Sequence, residues 1–267
     1  MTVGVSSRGP GVMCFMNVTE LDVRPDAPPA PLALVLANVA LFLDLDGTLA
    51  PITARPQDVG PDPRRTGILE ELMGRLEGRL AVVSGRTLAD IDRILEGRVP
   101  AVAAVHGLVL RGADGAVTQS ESHPALPEAV AALRLFAANH PGMLVEDKLL
   151  SATLHYRGDP ENGQAARAEA ERVAAFTGLA VQPGDMVMEL RTPGPTKGDS
   201  VEAFLTHAPF KGATPIFLGD DLTDEDGFAA ARRLGGFGVL VGAARPTAAR
   251  LRLDDVDAAL TWLEAAR

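Results

Sequence analysis

The feature that most constrains this chain is a short apolar run that ends directly in two aspartates. Residues 39–43 read Val-Ala-Leu-Phe-Leu, which is the composition of a buried parallel strand, and Asp44 and Asp46 follow at its carboxyl end. Side chains alternate along a strand, so the two carboxylates can share one face before Gly47 turns the chain away. Open α/β sheets place their chemistry in the crevice beyond such strand ends. The run therefore predicts a parallel sheet with a polar site at its edge.

Two carboxylates this close together repel each other, which suggests a metal ion, a shared proton, or both. Such a pair suits phosphoryl transfer, because one carboxylate can attack phosphorus, the other can manage protons, and a divalent cation can neutralise phosphate oxygens. A calcium loop would need a glutamate at its twelfth position, which counted from Asp44 is Arg55. A solvated turn at the strand end remains the plain alternative.

Further apolar runs alternate with helical patterns along much of the chain. Strands are predicted at 39–43, 80–83, 101–105, 215–218 and 237–241, and helices at 63–76, 88–95, 197–207, 224–234 and 255–266. This alternation predicts an α/β fold with a doubly wound parallel sheet.

The rhythm changes in the middle of the chain. A hairpin is predicted at 107–119, helices at 125–139 and 160–178, a long strand-like stretch at 143–157, and short strands at 179–182 and 186–190. This pattern predicts a smaller α+β cap domain, residues 108–192, inserted into a core formed by 31–107 and 193–267. Residues 1–30, rich in Gly, Ser and Pro, are predicted to form a poorly ordered extension.

Charge and composition exclude several classes of function. The formal net charge of −10 disfavours nucleic acid and anionic membranes as partners. The single cysteine, Cys14, excludes an internal disulfide framework and Cys-rich zinc sites, so we expect a reduced, cytoplasmic setting. The apolar-rich residues 31–43 are too few to span a bilayer. We expect a soluble monomer that binds a small molecule.

Three of the predicted core strands end in polar groups that a parallel sheet would bring to one edge. These groups are Asp44 with Asp46, Ser84, and Asp220 with Asp221, joined by Lys197 at the start of the helix that follows the insert. Each has a plain explanation alone: a turn for Ser84, a solvated helix residue for Lys197, a helix-terminal charge for Asp220. Together they predict one site for a phosphoryl group.

These residues resemble the four motifs of the haloacid dehalogenase (HAD) superfamily of phosphohydrolases. The matching segments are Asp44-Leu-Asp46-Gly-Thr48, Ser84-Gly-Arg86, Lys197, and Gly219-Asp220-Asp221 with Asp224. The insert resembles a C2-type cap. Within that superfamily the chain resembles the trehalose-6-phosphate phosphatase family over about residues 40–260, most specifically in the segment 217–228. The resemblance implies Mg²⁺-dependent hydrolysis of trehalose 6-phosphate to trehalose and phosphate.

The resemblance also implies a role for each motif residue. Asp44 is expected to be the nucleophile that forms an aspartyl-phosphate, and Asp46 the general acid and base. Ser84 and Lys197 are expected to hold the phosphoryl oxygens. The implied metal ligands are Asp44, the backbone carbonyl of Asp46, and Asp220, with Thr48, Asp221 and Asp224 in support.

In the insert, Glu146, Lys148 and Glu189 match family residues that bind sugar hydroxyls, and Arg86 borders the same cleft. Glu146 and Lys148 are two residues apart, so they share one face of a strand, although an exposed salt bridge is the alternative explanation. His106 is interpreted as structural or supporting rather than catalytic, as is His155.

Two positions depart from the family pattern. Val109 stands where the family often carries Glu, and Leu149 stands where Gly is usual. Two alternative functions therefore stay open. One is a capped sugar phosphatase acting on sucrose phosphate or mannosyl-phosphoglycerate, and the other is a non-catalytic HAD-like module that binds a partner or senses sugar phosphates.

Overall fold

The computed structural model describes residues 33–53, 55–184 and 186–267. Residues 1–30, for which we predicted a poorly ordered extension, lie outside the described part of the chain. Within the described ranges, none of the helices combines the length and the apolar character that crossing a bilayer requires.

An eight-stranded, mostly parallel sheet, which we call the core sheet, organises most of the chain. Its strands, in their order across the sheet, are β12 (Leu251–Leu253), β11 (Phe237–Val241), β10 (Thr214–Gly219), β1 (Val39–Leu43), β2 (Leu80–Val83), β3 (Ala101–Ala104), β4 (Val109–Arg111) and β5 (Val117–Gln119). The six strands from β12 to β3 are parallel to one another, whereas β4 and β5 are antiparallel. β1 is central, as its fully buried pattern predicts.

Helices cover both faces of the core sheet. The helices on one face are α1 (Pro63–Arg75), α2 (Leu88–Ile94) and α7 (Val256–Glu264), and those on the other are α5 (Lys197–Leu205) and α6 (Glu225–Arg233). Successive residues of β1 point to opposite layers: Leu41 and Leu43 pack with the first group, and Phe42 packs on Phe204 with ring centroids 6.1 Å apart. The predicted doubly wound α/β architecture is confirmed.

A separate antiparallel sheet, which we call the cap sheet, is formed by the middle of the chain. Its strands in order are β6 (Leu144–Asp147), β7 (Ser151–His155), β9 (Val187–Arg191) and β8 (Ala180–Gly184), and its helices are α3 (Leu126–Ala137) and α4 (Gly163–Thr177). Leu154 and Met188 face these helices. The alternate residues, Thr153 and Glu189, therefore lie on the opposite, polar face. The predicted α+β insert is confirmed.

Helix termini follow the sequence signals that predict them. Asp62, the N-cap of α1, accepts a 2.8 Å hydrogen bond from the Arg65 N–H ahead of Pro63. α4 ends at Gly178 in a left-handed conformation (φ 78°), which glycine adopts at no steric cost. These local devices set where each helix begins and ends.

Two expectations about the insert need correction. The predicted insert 108–192 includes a hairpin that the structure instead pairs with the core sheet, where Ala103 of β3 faces Leu110 of β4. The alternation of apolar and polar residues predicts that a hairpin forms, but it does not predict which sheet the hairpin joins. The predicted single stretch 143–157 is two strands, β6 and β7, because the chain turns at Leu149 (φ 69°). The short edge strand β12 was not predicted.

Candidate active site

The carboxyl ends of three adjacent core strands converge at one edge of the sheet. β1 lies between β10 and β2, so Asp44 at the end of β1 stands between Asp220, which follows β10, and Ser84, which follows β2. Asp44 is 4 % exposed and Ser84 is 1 % exposed. The structure therefore brings Asp44, Ser84 and Asp220 together at one edge of the sheet, as the sequence predicts.

Lys197 reaches this edge from the first residue of α5. Thr196 and Asp199 form a capping box that starts the helix directly at Lys197. The buried ammonium donates to Asp44 Oδ1 at 2.8 Å and to Asp224 Oδ1 at 2.6 Å. Although burial opposes it, the carboxylates of Asp224 and Asp44 raise the pKa of Lys197 above its ordinary value. A permanent positive charge therefore stands beside the predicted nucleophile.

The loop after β10 is organised by a buried carboxylate. Asp224 Oδ2 accepts the backbone N–H groups of Asp220 (2.9 Å) and Asp221 (3.0 Å). The Thr48 hydroxyl lies 3.4 Å from Asp220 Oδ1. Gly47 has φ 81°, and a Cβ there would overlap the Asp220 carboxylate. The glycine thus lets the Asp220 carboxylate approach the end of β1. We did not predict this steric requirement from the sequence.

A cluster of carboxylates at this edge is suited to a divalent cation. Asp44, Asp220 and Asp224 each offer an oxygen, and these oxygens lie within 4.8 Å of one another. Burial raises the pKa of Asp44 well above its ordinary value, against the opposing charge of Lys197. Burial and the charge of Asp224 raise the pKa of Asp220 to about 7. A cation would relieve both shifts, so the donor set fits a metal ion of hard oxygen preference.

Asp46 is held by a residue that we predicted to border the sugar site. Arg86 donates to both Asp46 carboxylate oxygens, from Nε at 2.6 Å and from Nη2 at 2.7 Å. Its third nitrogen, Nη1, donates to the Pro56 carbonyl at 2.8 Å, so the loop after β1 is tied to the same side chain. A bidentate pair of this kind fixes orientation as well as charge.

The polar face of the cap sheet carries the predicted sugar-binding residues. Lys148 Nζ lies 3.9 Å from Glu146 Oε2 and 3.7 Å from Glu189 Oε1. Glu146 also contacts His155 Nε2 at 3.0 Å. In the sheet register Glu146 faces Thr153, and Thr153 faces Glu189, so these residues form one row across the strands. Strand pairing therefore brings together two glutamates that are 43 positions apart in the sequence.

Glu189 is the most enclosed residue of this row. It accepts from the Ser151 hydroxyl at 2.6 Å and contacts His106 Nε2 at 2.9 Å. Burial opposes ionisation, but the charge of Lys148 and the contact with His106 hold the pKa of Glu189 well below its usual range. Glu189 is therefore an ionised acceptor at neutral pH.

All predicted catalytic, substrate-binding and metal residues line one cleft of ≈ 210 Å³ between the core sheet edge and the cap sheet. They are Asp44, Asp46, Ser84, Arg86, Glu146, Lys148, Glu189, Lys197 and Asp220. Of the predicted supporting residues, Asp221 lines the cleft as well, whereas Thr48 and Asp224 are fully buried beneath it. Ile52 and Thr53 of the loop after β1 also line it.

Solved structures share the fold of this protein. The C-terminal domain of Candida albicans trehalose-6-phosphate phosphatase superimposes with a TM-score of 0.80, at 23% identity over 89% of this chain and 97% of that one. A Bacteroides thetaiotaomicron phosphatase of the HAD superfamily superimposes with a TM-score of 0.58, at 19% identity over 88% and 95%. These likenesses concern the fold alone and show that the chain has a HAD-like fold.

Sequence comparison narrows the class. The family model for trehalose-phosphatase matches residues 42–257. The trehalose-6-phosphate phosphatase of Escherichia coli strain K12 is 39% identical over 236 residues, which are 85% of this chain and 86% of that relative. The chain belongs to the trehalose-phosphatase family, whose activity is that of phosphoric monoester hydrolases.

Proposed function

We propose that this protein hydrolyses trehalose 6-phosphate to trehalose and inorganic phosphate, with Asp44 as the nucleophile. The observation that carries the proposal is the buried contact of Lys197 with Asp44, 2.8 Å long and joining residues 153 positions apart. It places a fixed positive charge where the phosphoryl oxygens would lie when the Asp44 carboxylate attacks. Membership of the family and the polar row of the cap sheet support the choice of a sugar phosphate.

The reaction would proceed in two displacements. A carboxylate oxygen of Asp44 attacks phosphorus, the bond between phosphorus and the sugar oxygen breaks, and Asp46 gives its proton to that oxygen. Asp46 then takes a proton from a water molecule, whose oxygen attacks phosphorus and releases phosphate from Asp44. The Ser84 hydroxyl and the Lys197 ammonium hold the phosphoryl oxygens throughout.

Arg86 restrains the proposed acid. Because both carboxylate oxygens of Asp46 accept hydrogen bonds from Arg86, this pair would have to open for Asp46 to act on the leaving oxygen. Oxygens of the substrate would compete for Arg86, which lines the same cleft.

The metal ion that we propose is Mg²⁺. Asp44, Asp220 and the backbone carbonyl of Asp46 would hold it, because both oxygens of Asp224 already accept hydrogen bonds from Lys197 and from backbone N–H groups. When bound, the ion would neutralise charge on the phosphoryl group. Asp224 would then position the ligands rather than bind the ion itself.

The proposal is tested by phosphate release from a panel of sugar phosphates with Mg²⁺. Trehalose 6-phosphate should give the highest kcat/KM. Preference for sucrose phosphate or mannosyl-phosphoglycerate would instead favour another capped sugar phosphatase. No release from any member, with binding retained, would favour a non-catalytic sensing module.

A further inference from the structure

His106 stands on a turn of left-handed residues in the core. Val105, His106 and Gly107 have φ values of 48°, 55° and 103°, a run of left-handed residues that follows β3. The His106 N–H donates to the Ser84 carbonyl, and the Val105 N–H to the Arg86 carbonyl, both at 2.9 Å. Backbone strain of this kind persists only where the surrounding structure imposes it. The two backbone hydrogen bonds attach this turn to the turn Ser84–Arg86, which we propose to bind phosphate.

The imidazole of His106 lies over the backbone of Gly85. A Cβ at Gly85 would overlap His106 Nε2, so a side chain at that position is incompatible with the ring. The Gly85 carbonyl also lies 3.3 Å from Lys148 Nζ of the cap sheet. The glycine therefore brings two side chains together at the junction of the two sheets.

Both ring nitrogens of His106 contact the cap sheet. Nε2 lies 2.9 Å from Glu189 Oε2, and the Gln182 amide nitrogen lies 3.1 Å from Nδ1. Gln182 of β8 and Glu189 of β9 are directly paired across the two strands. One pair of neighbouring strands therefore contacts both nitrogens of the ring. Because an amide N–H donates to Nδ1, the ring proton belongs on Nε2, where it donates to Glu189.

The neutral form of the ring fits this arrangement. Burial lowers the pKa of His106 below its ordinary value, although the charge of Glu189 opposes the shift. The cationic groups that face it, Lys197 and Lys148, act in the same direction as burial. A neutral imidazole with a defined tautomer is a rigid connector rather than a freely rotating side chain.

We propose that His106 is a positioning residue that sets the distance between the two halves of the cleft. It fixes Glu189 and Gln182 of the cap sheet relative to the Ser84–Arg86 turn. The sugar-binding row is thereby held in place over the phosphoryl-binding group. This inference rests on the proposed function and deepens it, because it names the residue through which the core aligns sugar recognition with chemistry.

The first test is His106→Asn, measured with trehalose 6-phosphate and with p-nitrophenyl phosphate, which lacks the sugar. Asparagine tolerates the left-handed backbone, so the turn is kept, while its side chain is too short to reach both cap partners. We expect KM for trehalose 6-phosphate to rise about tenfold and kcat to change less than about threefold, as for the loss of one charged hydrogen bond. Hydrolysis of p-nitrophenyl phosphate should stay within about twofold, since it does not use Glu189.

The second test removes the contact that the cap sheet makes with His106 through Gln182, and it leaves the core turn unchanged. Gln182→Ala should raise KM for trehalose 6-phosphate in the same direction as His106→Asn, and the double variant should be no worse than His106→Asn alone. The matched controls are His140→Asn and Gln164→Ala. His140 Nδ1 contacts the Phe136 carbonyl of α3, and Gln164 is exposed on the surface of α4. Both should keep wild-type constants.

Three outcomes would overturn the inference. An unchanged KM in His106→Asn would show that the bridge does not position the sugar site. A parallel loss with both substrates would show damage to the Ser84 turn instead. Additive effects of His106→Asn and Gln182→Ala would show that they act separately. A wild-type protein inactive on trehalose 6-phosphate would refute the proposed function itself, and this inference with it, which distinguishes the two failures.

Discussion

The two halves of the cleft differ in how closely their charged side chains are held. On the core side, Lys197 lies 2.8 Å from Asp44 and 2.6 Å from Asp224, and all three are nearly excluded from solvent. On the cap side, Lys148 lies 3.9 Å from Glu146 and 3.7 Å from Glu189, and the Glu146 side chain is 32 % exposed. The core half, which we propose to be the chemical half, is thus assembled around fixed contacts, whereas the cap half leaves room near Glu146 for polar groups of a ligand.

The difference follows from the two kinds of sheet. The core residues sit at the ends of buried parallel strands, where tight neighbours on both faces hold them. The cap residues lie on the face of an antiparallel sheet that is opposite its helices, where Glu146 stays partly open to solvent and Glu189 is enclosed. Low-dielectric surroundings strengthen electrostatic contacts in the first region, and solvent weakens those of Glu146 in the second. Substitutions should therefore cost most in the core half.

The largest effect is expected for Asp44→Asn. Removing the nucleophile should lower kcat for every phosphate ester by about 10⁴-fold or more, with either leaving group. Phosphate release measures the loss. Asp92→Asn is the control, because Asp92 pairs with Arg111 away from the cleft. Activity near that of the wild type in Asp44→Asn would rule out the covalent mechanism.

Asp46→Asn should separate proton transfer from the rest of the reaction. We expect about 10²- to 10⁴-fold lower kcat on trehalose 6-phosphate, whose alkoxide leaving group needs a proton. The loss on p-nitrophenyl phosphate should be much smaller, because a nitrophenolate leaves without one. KM should stay close to that of the wild type. Equal losses on the two esters would contradict the acid role.

Lys148→Ala probes the open half of the cleft. It should lower kcat/KM for trehalose 6-phosphate by about 10- to 100-fold, the range for a hydrogen bond to a charged group, and leave p-nitrophenyl phosphate almost unaffected. Asp147→Asn is a matched control, since Asp147 is adjacent and lies near Arg134 of α3 on the helix-covered face. A loss shared by both esters would place Lys148 in the chemical half.

Metal binding should depend on pH through Asp220. Its pKa of about 7 is above the ordinary 3.8, so the folded metal-free protein holds this proton more tightly than the unfolded chain does. Stability contributed by the proton is lost as the pH rises from about 4 to about 7, and a cation then replaces the proton. Apparent Mg²⁺ affinity by calorimetry should fall about tenfold per pH unit below 7. Affinity that is constant from pH 5.5 to 8 would show that Asp220 does not compete with a proton for the metal in this range.

The smallest expected effect concerns the turn between β6 and β7. Leu149 has φ 69° and is 66 % exposed, so Leu149→Gly should raise the free energy of unfolding by about 0.5–1 kcal/mol, the strain released less the entropy cost of glycine. Leu144→Gly is the control, an exposed strand position without positive φ, and should be destabilising by a similar amount. Urea denaturation gives both values. If both substitutions changed the free energy of unfolding in the same direction, backbone strain at Leu149 would not be the cause of the change.

Much of the site could be predicted because its signals are local. Asp44, Ser84 and Asp220 each follow directly after a recognisable apolar strand, and Lys197 follows the helix N-cap Thr196. Gln182 carried no such signal, since its contact with His106 spans 76 positions and depends on how β8 pairs with β9. The partner of Arg86 was missed for the same reason: its guanidinium meets Asp46, 40 positions away.

The amino-acid sequence by itself determined the alternation of strands and helices, their caps and the polar residues at the strand ends. These depend on side-chain periodicity and backbone conformation within a few residues. Tertiary structure alone decided that the hairpin β4–β5 joins the core sheet. It also decided that one histidine connects the two sheets. Both outcomes depend on which distant edges and faces meet, and that is set by packing the whole chain rather than by any local segment.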